Sequence, residues 1–169
     1  ITVTCFTLYR LGERLGHSGA GWIAGLLYAV LSLNNSGMAV HRELLFAPCV
    51  TLALWLILSA PTADEGAARA VVWRYLLAGL LLGFGIQIKF LYGLDCVAIG
   101  LIALWHLWPG RPGSLAAFIR RTVGYGSLLL IGPVLLMGLT AGYSALKGSL
   151  GEYLYANFVA PSPYVRAYR

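Results

Sequence analysis

Two short polar segments interrupt long apolar runs, and both carry residue types that can bind an anion or a sugar. In "AVHRELLFAP", His41, Arg42 and Glu43 are consecutive. An arginine can neutralise a phosphate, and a glutamate can accept hydrogen bonds from sugar hydroxyls. The same three residues can equally form the hydrated cap of a helical hairpin. Their spacing does not match the HExxH pattern of zinc sites, so the sequence predicts no metal site here.

The second segment is "IQIKFLYGLD", in which Lys89 and Asp95 lie inside an otherwise apolar run. Charges at membrane depth are costly and tend to mark substrate paths. On one continuous helix a separation of six residues is a rotation of about 600°, which leaves the two charges on different faces. If instead one helix ends near Ile88 and the next begins near Cys96, Lys89 lies at a turn beside Tyr92, an interfacial residue type. There it snorkels towards water or meets a lipid phosphate.

Composition predicts the elements that position these residues. The chain of 169 residues is 59% hydrophobic and 11% charged, with a mean hydropathy of +0.78, whereas soluble domains average about 25% charged residues. Its apolar runs are continuous and lack the alternation of apolar and polar residues that is typical of transmembrane β-strands. We therefore predict an all-α fold, a polytopic transmembrane helix bundle with about five full spans after a truncated first one.

The predicted apolar segments form a single transmembrane domain over residues 1–169, with residues 147–169 as a tail on the outer side. Its first segment looks like the end of a cut helix, and its tail has no closing element, so we expect an internal fragment of a longer protein. The segments are Ile1–Leu8, Ala20–Val40, Leu44–Ala60, Val71–Ile88, Cys96–Trp108 and Thr122–Leu146.

Basic residues near the ends of these segments predict the orientation. The net charge is +6, but the 12 basic residues are scattered rather than forming one stripe, which disfavours nucleic acid as a partner. The positive-inside rule assigns to the cytoplasm the face with more of them. That face carries Arg10, Arg14, Arg69, Arg74, Arg111, Arg120 and Arg121. The outer face then carries the two polar segments, with Arg42 and Lys89.

Three GxxxG steps lie within apolar segments: Gly21/Gly25, Gly79/Gly83 and Gly138/Gly142. Small residues four apart let two helix backbones approach closely, so each step predicts a tight helix–helix contact. A phosphate-binding role for these glycines would require a strand–loop–helix context, which the sequence lacks.

The order of these motifs resembles that of bacterial membrane glycosyltransferases of the C fold class. The similarity is to the dolichyl-phosphate-mannose protein mannosyltransferase-like group, which includes aminoarabinose transferases and rhizobial lipopolysaccharide-core transferases. It rests on the basic turn "YRLGERLG", on "HRELLFAP" in place of an outer Thr-Glu motif, and on "AGLLLGFGIQIKFLYGL", which resembles a Gly-Leu-x-x-Gly-Leu-x-x-x-x-Lys pattern. It covers roughly residues 8–108. Arg42 stands where the family motif has threonine.

The resemblance implies transfer of a sugar from a polyprenyl-phosphate donor to a glycan, lipid or protein acceptor at the outer side of the inner cell membrane. Glu43 matches the acidic position of the Thr-Glu motif, and Lys89 matches the lysine that faces the lipid phosphate. The family's catalytic acid lies in a first outer loop, so we expect it upstream of Ile1. The predicted substrate-binding residues are Lys89, Glu43, Arg42, His41 and Tyr92. No cofactor follows from the sequence, and nothing in it indicates a divalent metal.

Two other functions remain open at this stage. A transporter or lipid flippase would also place charges at membrane depth, but it often shows paired repeats or broken helices, which the sequence lacks. A non-catalytic membrane scaffold would need only the GxxxG contacts.

Overall fold

The chain folds into helices throughout the part that the computed structural model describes, residues 1–35, 42–61, 68–88, 93–107 and 115–159. No strand occurs within these ranges, which confirms the predicted all-α class for them. The helices are α1 (Thr2–Arg14), α2 (Ser18–Asn35), α3 (Arg42–Leu58), α4 (Ala68–Ile88), α5 (Gly93–Leu107), α6 (Leu115–Leu146) and α7 (Leu150–Leu154), followed by a π-helical turn (Tyr155–Val159).

Within the described ranges, two helices are long and apolar enough to cross a membrane, over Arg69–Ile88 in α4 and Phe118–Leu146 in α6. Three shorter apolar stretches lie in α2, α3 and α5. The predicted count of about five full spans is therefore not confirmed. The predicted short helix after Ile88 is confirmed, because α5 has only 15 residues and carries Asp95 in its first turn. The predicted turn at residues 89–92 lies outside the described residues.

Four helices, α3 to α6, share one core, and α1 joins it through α3. Fully buried Tyr75 and Ala78 of α4 pack there with Ile57 of α3, Ile99 of α5 and Leu129 of α6. Apolar side chains from all four helices thus bury one another away from the surrounding solvent or lipid. The helix α2 packs against α1, outside the core that α3 to α6 share.

Glycines allow α1 and α2 to pack closely. A methyl group on Gly12 would lie 2.5 Å from Cα of Gly21, and one on Gly25 would lie 3.1 Å from the carbonyl oxygen of Cys5. The connection between the helices turns at Gly16, whose φ of 78° is a left-handed conformation that favours glycine. The prediction for the first GxxxG step is confirmed, with Gly12 as its partner on α1.

The second GxxxG step packs α4 against α6. A methyl group on Gly79 would lie 2.7 Å from the carbonyl oxygen of Leu128, and methyl groups on Gly83 and Gly132 would each overlap the backbone of the other helix. Residue numbers increase in the same direction along both helices, so α4 and α6 run parallel. This contact confirms the prediction for Gly79/Gly83.

The third step, Gly138/Gly142, makes no such contact among the described residues. A methyl group on either glycine would have no described atom within 4 Å. Because Gly83 packs beside Gly132 and Pro133 and α4 ends five residues later, the final turns of α6 extend past the end of α4. The prediction of a tight contact at this step is wrong for the described part of the chain.

Two predicted polar breaks are largely helical over their described residues. The break predicted to begin at Tyr9 starts only after Arg14, because Leu11 and Gly12 are buried against α2. Likewise α6 begins at Leu115, seven residues before the predicted Thr122, and includes the basic pair that was predicted to lie in a loop. The predicted outer tail also contains structure, since α7 and the π-helical turn follow α6 directly.

Candidate functional site

The start of α3 and the end of α4 lie at the same level. Phe46, one turn into α3 and 5% exposed, packs over Gly85, where a methyl group would lie 2.5 Å from its Cε2 atom. Since α3 and α4 run antiparallel, this contact aligns the first turn of α3 with the last residues of α4. The segment that contains Arg42 and Glu43 therefore enters α3 where α4 ends.

The start of α5 belongs to the same end of the molecule. The chain leaves α4 at Ile88 and enters α5 at Gly93, a gap of four residues that spans at most about 18 Å. Asp95 is half-buried in the first turn of α5, which packs against α3 and α6. We call this region, where α3 and α5 begin and α4 ends, the Asp95 end.

Of the five predicted site residues, the structure describes the backbone of two. Arg42 and Glu43 are the first two residues of α3. His41, Lys89 and Tyr92 lie outside the described residues. Their joint action on one ligand stays a prediction, and the observation behind it is the convergence of the helix ends that flank them.

Helix polarity also favours an anion at the Asp95 end. Both α3 and α5 begin there, and the first turn of a helix presents unpaired backbone N–H groups with a partial positive charge. Asp95 complements that charge at α5. The start of α3 offers the same partial positive charge.

Sequence reasoning missed Gln87, which precedes Lys89 by two residues. Its side-chain nitrogen Nε2 is buried and has no hydrogen-bond partner among the described residues. A buried unpaired donor costs about 1–3 kcal/mol, so such a group in a native structure requires a reason. A glutamine inside the apolar run "FGIQIK" was the only signal that the sequence offered.

The carboxylate of Glu13 is engaged elsewhere and is a poor candidate for catalysis. Its Oε2 lies 3.0 Å from Nη1 of Arg10, and its other oxygen accepts a hydrogen bond from the hydroxyl of Tyr9. This hydrogen bond is the main reason that the pKa of Tyr9 is raised, and desolvation and the charge of Glu13 add to the effect. The cluster lies in the last turns of α1, near its connection to α2. Because both carboxylate oxygens are engaged by residues of the same helix, Glu13 stabilises α1 rather than contributing to the site.

One protein-family comparison gives a match. The sequence model of the dolichyl-phosphate-mannose-protein mannosyltransferase family matches residues 1–137, a range that includes α1 to α5, the first part of α6 and every predicted site residue. No match was found among curated proteins or among solved structures.

Proposed function

Since this chain belongs to the dolichyl-phosphate-mannose-protein mannosyltransferase family, a glycosyltransferase family of membrane proteins, we propose a specific reaction for it. The chain takes part in the transfer of a sugar from a polyprenyl-phosphate donor to an acceptor at the extracytoplasmic side of a cell membrane. The observation that carries the proposal is the convergence of three helix ends at the Asp95 end, where the segments with Glu43 and Lys89 join the bundle.

The donor's phosphate is the natural ligand for the basic residues of this region. A polyprenyl phosphate keeps its chain in the bilayer and its anion at headgroup depth. Lys89 follows the last residue of α4, and Arg42 begins α3. In the proposed complex Lys89 binds the phosphate, Arg42 adds a second positive charge, and the start of α3 contributes its dipole.

The chemistry requires charge stabilisation at that phosphate. The acceptor hydroxyl oxygen forms a bond to the anomeric carbon, the carbon–oxygen bond to the phosphate breaks, and the phosphate leaves with the electron pair. Cations at the leaving group stabilise the developing charge, while a carboxylate takes the hydroxyl proton. In the proposed complex Glu43 accepts hydrogen bonds from sugar hydroxyls, and His41 and Tyr92 contact the same substrate. The proton acceptor is the first-loop carboxylate that the family resemblance implies.

An activity assay tests these roles. The full-length protein, reconstituted in vesicles, receives a polyprenyl-phosphate sugar, and sugar transfer is compared for Lys89→Ala, Glu43→Ala and Lys147→Ala. The first two should lower kcat/KM by about tenfold or more, since each loses a charged hydrogen bond to the substrate. Lys147 is exposed after the end of α6, so its variant serves as the matched control. Full activity in both of the first two variants would remove these residues from the site.

A labelling experiment tests the shared location independently of activity. Single cysteines replace Glu43, Lys89 or exposed Arg69 in a protein without its native cysteines, and a membrane-impermeant maleimide is added from one side. We expect Glu43→Cys and Lys89→Cys to react from the same side and Arg69→Cys from the other. Reaction of the first two from opposite sides would overturn the proposed site.

A further inference from the structure

A cavity of about 350 Å³ lies between α4, α5 and α6. Its walls are almost entirely apolar, and among the described residues no charged side chain lines it. The cavity reaches the surface of the molecule beside Val97, Leu101 and Leu130, each more than 60% exposed. Along α5 its lining extends from Cys96 to Leu107, a length of about 16 Å. This shape suits one extended hydrocarbon chain that enters from the side of the helices.

Two hydroxyl groups line this cavity without a hydrogen-bond partner in the described part of the chain. They belong to Tyr75 of α4, which is fully buried, and to Thr122 of α6, which is half-buried. In contrast, Thr7, Thr51 and Thr140 each donate to the carbonyl oxygen four residues earlier in the same helix. Because a buried hydroxyl without a partner is costly, both groups indicate an acceptor that a ligand supplies.

Tyr75 and Thr122 lie at the same end of the cavity. The rings of Tyr75 and Tyr125 are 5.2 Å apart, which places these residues of α4 and α6 at one level. Thr122 precedes Tyr125 by three residues, so it lies within about one helical turn of that level. Both helices begin at this end of the molecule, and α4 ends at the Asp95 end. The two donors therefore belong to the end of the cavity that is opposite to the residues proposed to bind the sugar donor.

The depth of these two residues matches the border of the hydrocarbon layer. Tyr75 lies six residues after Arg69, where the apolar stretch of α4 begins, and Thr122 lies four residues after Phe118, where that of α6 begins. These separations are about 9 Å and 6 Å along the helix axes, in a hydrocarbon core about 30 Å thick. Side chains of a helix lean towards its N-terminus, which brings both hydroxyls closer to the border. The ester carbonyls of glycerolipids lie at this border, just inside the headgroups.

We propose that the cavity binds one acyl chain of a diacyl glycerolipid of the bilayer, and that the ester carbonyl of this chain accepts hydrogen bonds from Tyr75 and Thr122. A neutral acceptor fits because the described lining offers two neutral donors and no charge. A polyprenyl chain has no oxygen along its hydrocarbon, and its phosphate is proposed to lie at the other end. An apolar helix that covered the cavity would likewise leave both hydroxyls unpaired. The site does not depend on the proposed function, since it shares no residue with the proposed donor site.

A comparison of ester-linked with ether-linked lipid tests the proposal. The ether lipid keeps the chains and the headgroup but lacks the carbonyl oxygens. The full-length protein is placed in nanodiscs of equal amounts of diester and diether phosphatidylcholine with the same chains, and retained lipid is counted by native mass spectrometry. We expect the diester lipid to be retained in about three- to tenfold excess, the range for one neutral hydrogen bond. The Tm should also be higher in the diester lipid alone than in the diether lipid alone.

Tyr75→Phe and Thr122→Val remove the hydroxyls and keep the shape of the side chains. Each should reduce the preference for the diester lipid, and in the diether lipid Tyr75→Phe should be at least as stable as wild type, because the native hydroxyl has no acceptor there. Tyr143→Phe and Thr140→Val are the matched controls, since neither residue is among those that line the cavity, and both should keep the preference. Equal retention of the two lipids by wild type, or a preference that survives the combined Tyr75→Phe and Thr122→Val substitutions, would overturn the proposal.

A further pair of variants tests the cavity itself. Gly126 lines the cavity and Gly138 lies on the same helix away from it, and a methyl group at either position would meet no described atom within 4 Å. Gly126→Leu should fill the cavity and abolish the preferential retention of the diester lipid, and Gly138→Leu should not. Preferential retention in Gly126→Leu would contradict the proposal. Displacement of the diester lipid by equimolar polyprenyl phosphate would assign the cavity to the donor chain and would also overturn it.

Discussion

The middle and the end of α6 both carry glycines but pack in opposite ways. Near the middle, Gly132 lies against the backbone of Gly79, and Leu129 is buried in the shared core. Near the end, Gly138 and Gly142 are exposed, and neighbouring Leu139 is 60% exposed. A GxxxG step thus creates the capacity for close approach, but a partner helix at the same level decides whether that capacity is used.

The largest expected effect of a substitution along α6 is at Gly132. We expect Gly132→Leu to lower the free energy of unfolding by about 3 kcal/mol or more, because the new side chain would overlap the backbone of Gly79, which no rotamer change can relieve. The measurement is unfolding of the full-length protein in detergent. The control Gly138→Leu should stay within about 0.5 kcal/mol of wild type. Equal losses in the two variants would show that both halves of α6 are packed.

Two glycine-to-alanine substitutions compare a packed and an open glycine with the smallest added side chain. Gly83→Ala should cost about 1–3 kcal/mol, since its methyl group would meet the backbone at Gly132 and Pro133. Gly142→Ala should instead be neutral or stabilise by up to about 1 kcal/mol, because alanine loses less backbone entropy in an open helix. Both are measured as shifts in unfolding midpoint. A loss at Gly142 would indicate a contact on that face.

The α1–α2 contact independently tests whether a GxxxG step matters for stability only where a partner helix lies at the same level. Gly21→Ala would place a methyl group 2.8 Å from the carbonyl oxygen of Tyr9 and 3.0 Å from Cα of Gly12. We expect the free energy of unfolding to fall by about 1–2 kcal/mol, less than for Gly83→Ala, because α2 packs outside the core of α3 to α6 and can shift. Gly19→Ala, in the same helix with open space around it, is the control and should cause no loss. Hydrogen exchange of the α1 and α2 amides would localise the effect.

The smallest effect is expected where the second half of α6 contacts α7. The hydroxyls of Thr140 and Tyr153 are 3.4 Å apart, and Thr140 also donates to the carbonyl oxygen of Leu136. Tyr153→Phe should therefore change stability by less than about 0.5 kcal/mol and increase hydrogen exchange only in α7. Thr140→Ser, which keeps the hydroxyl, should leave that exchange unchanged. A global loss of stability in Tyr153→Phe would mean that α7 anchors the second half of α6.

Much of the local structure was predictable because it depends on neighbouring residues in the chain. Continuous apolar runs indicated helices, and the separation of Lys89 from Asp95 indicated a turn after Ile88. The first-turn position of Asp95 in α5 followed from the same argument. Helix starts were less predictable: α6 begins at Leu115 because arginines tolerate a helix interior when their face is open to solvent or headgroups.

The sequence by itself determined the helical class, the family, and the residue types available at each helix end. Only the tertiary structure decided which ends meet: Phe46 over Gly85 aligns α3 with α4, and Gly132 beside Gly79 aligns α6 with α4. These alignments also decided which polar groups are left without partners among the described residues, Gln87 near one end and Tyr75 and Thr122 near the other. The physical reason is that helix formation depends on contacts within a few residues, whereas the relative level of two helices depends on side chains separated by tens of residues.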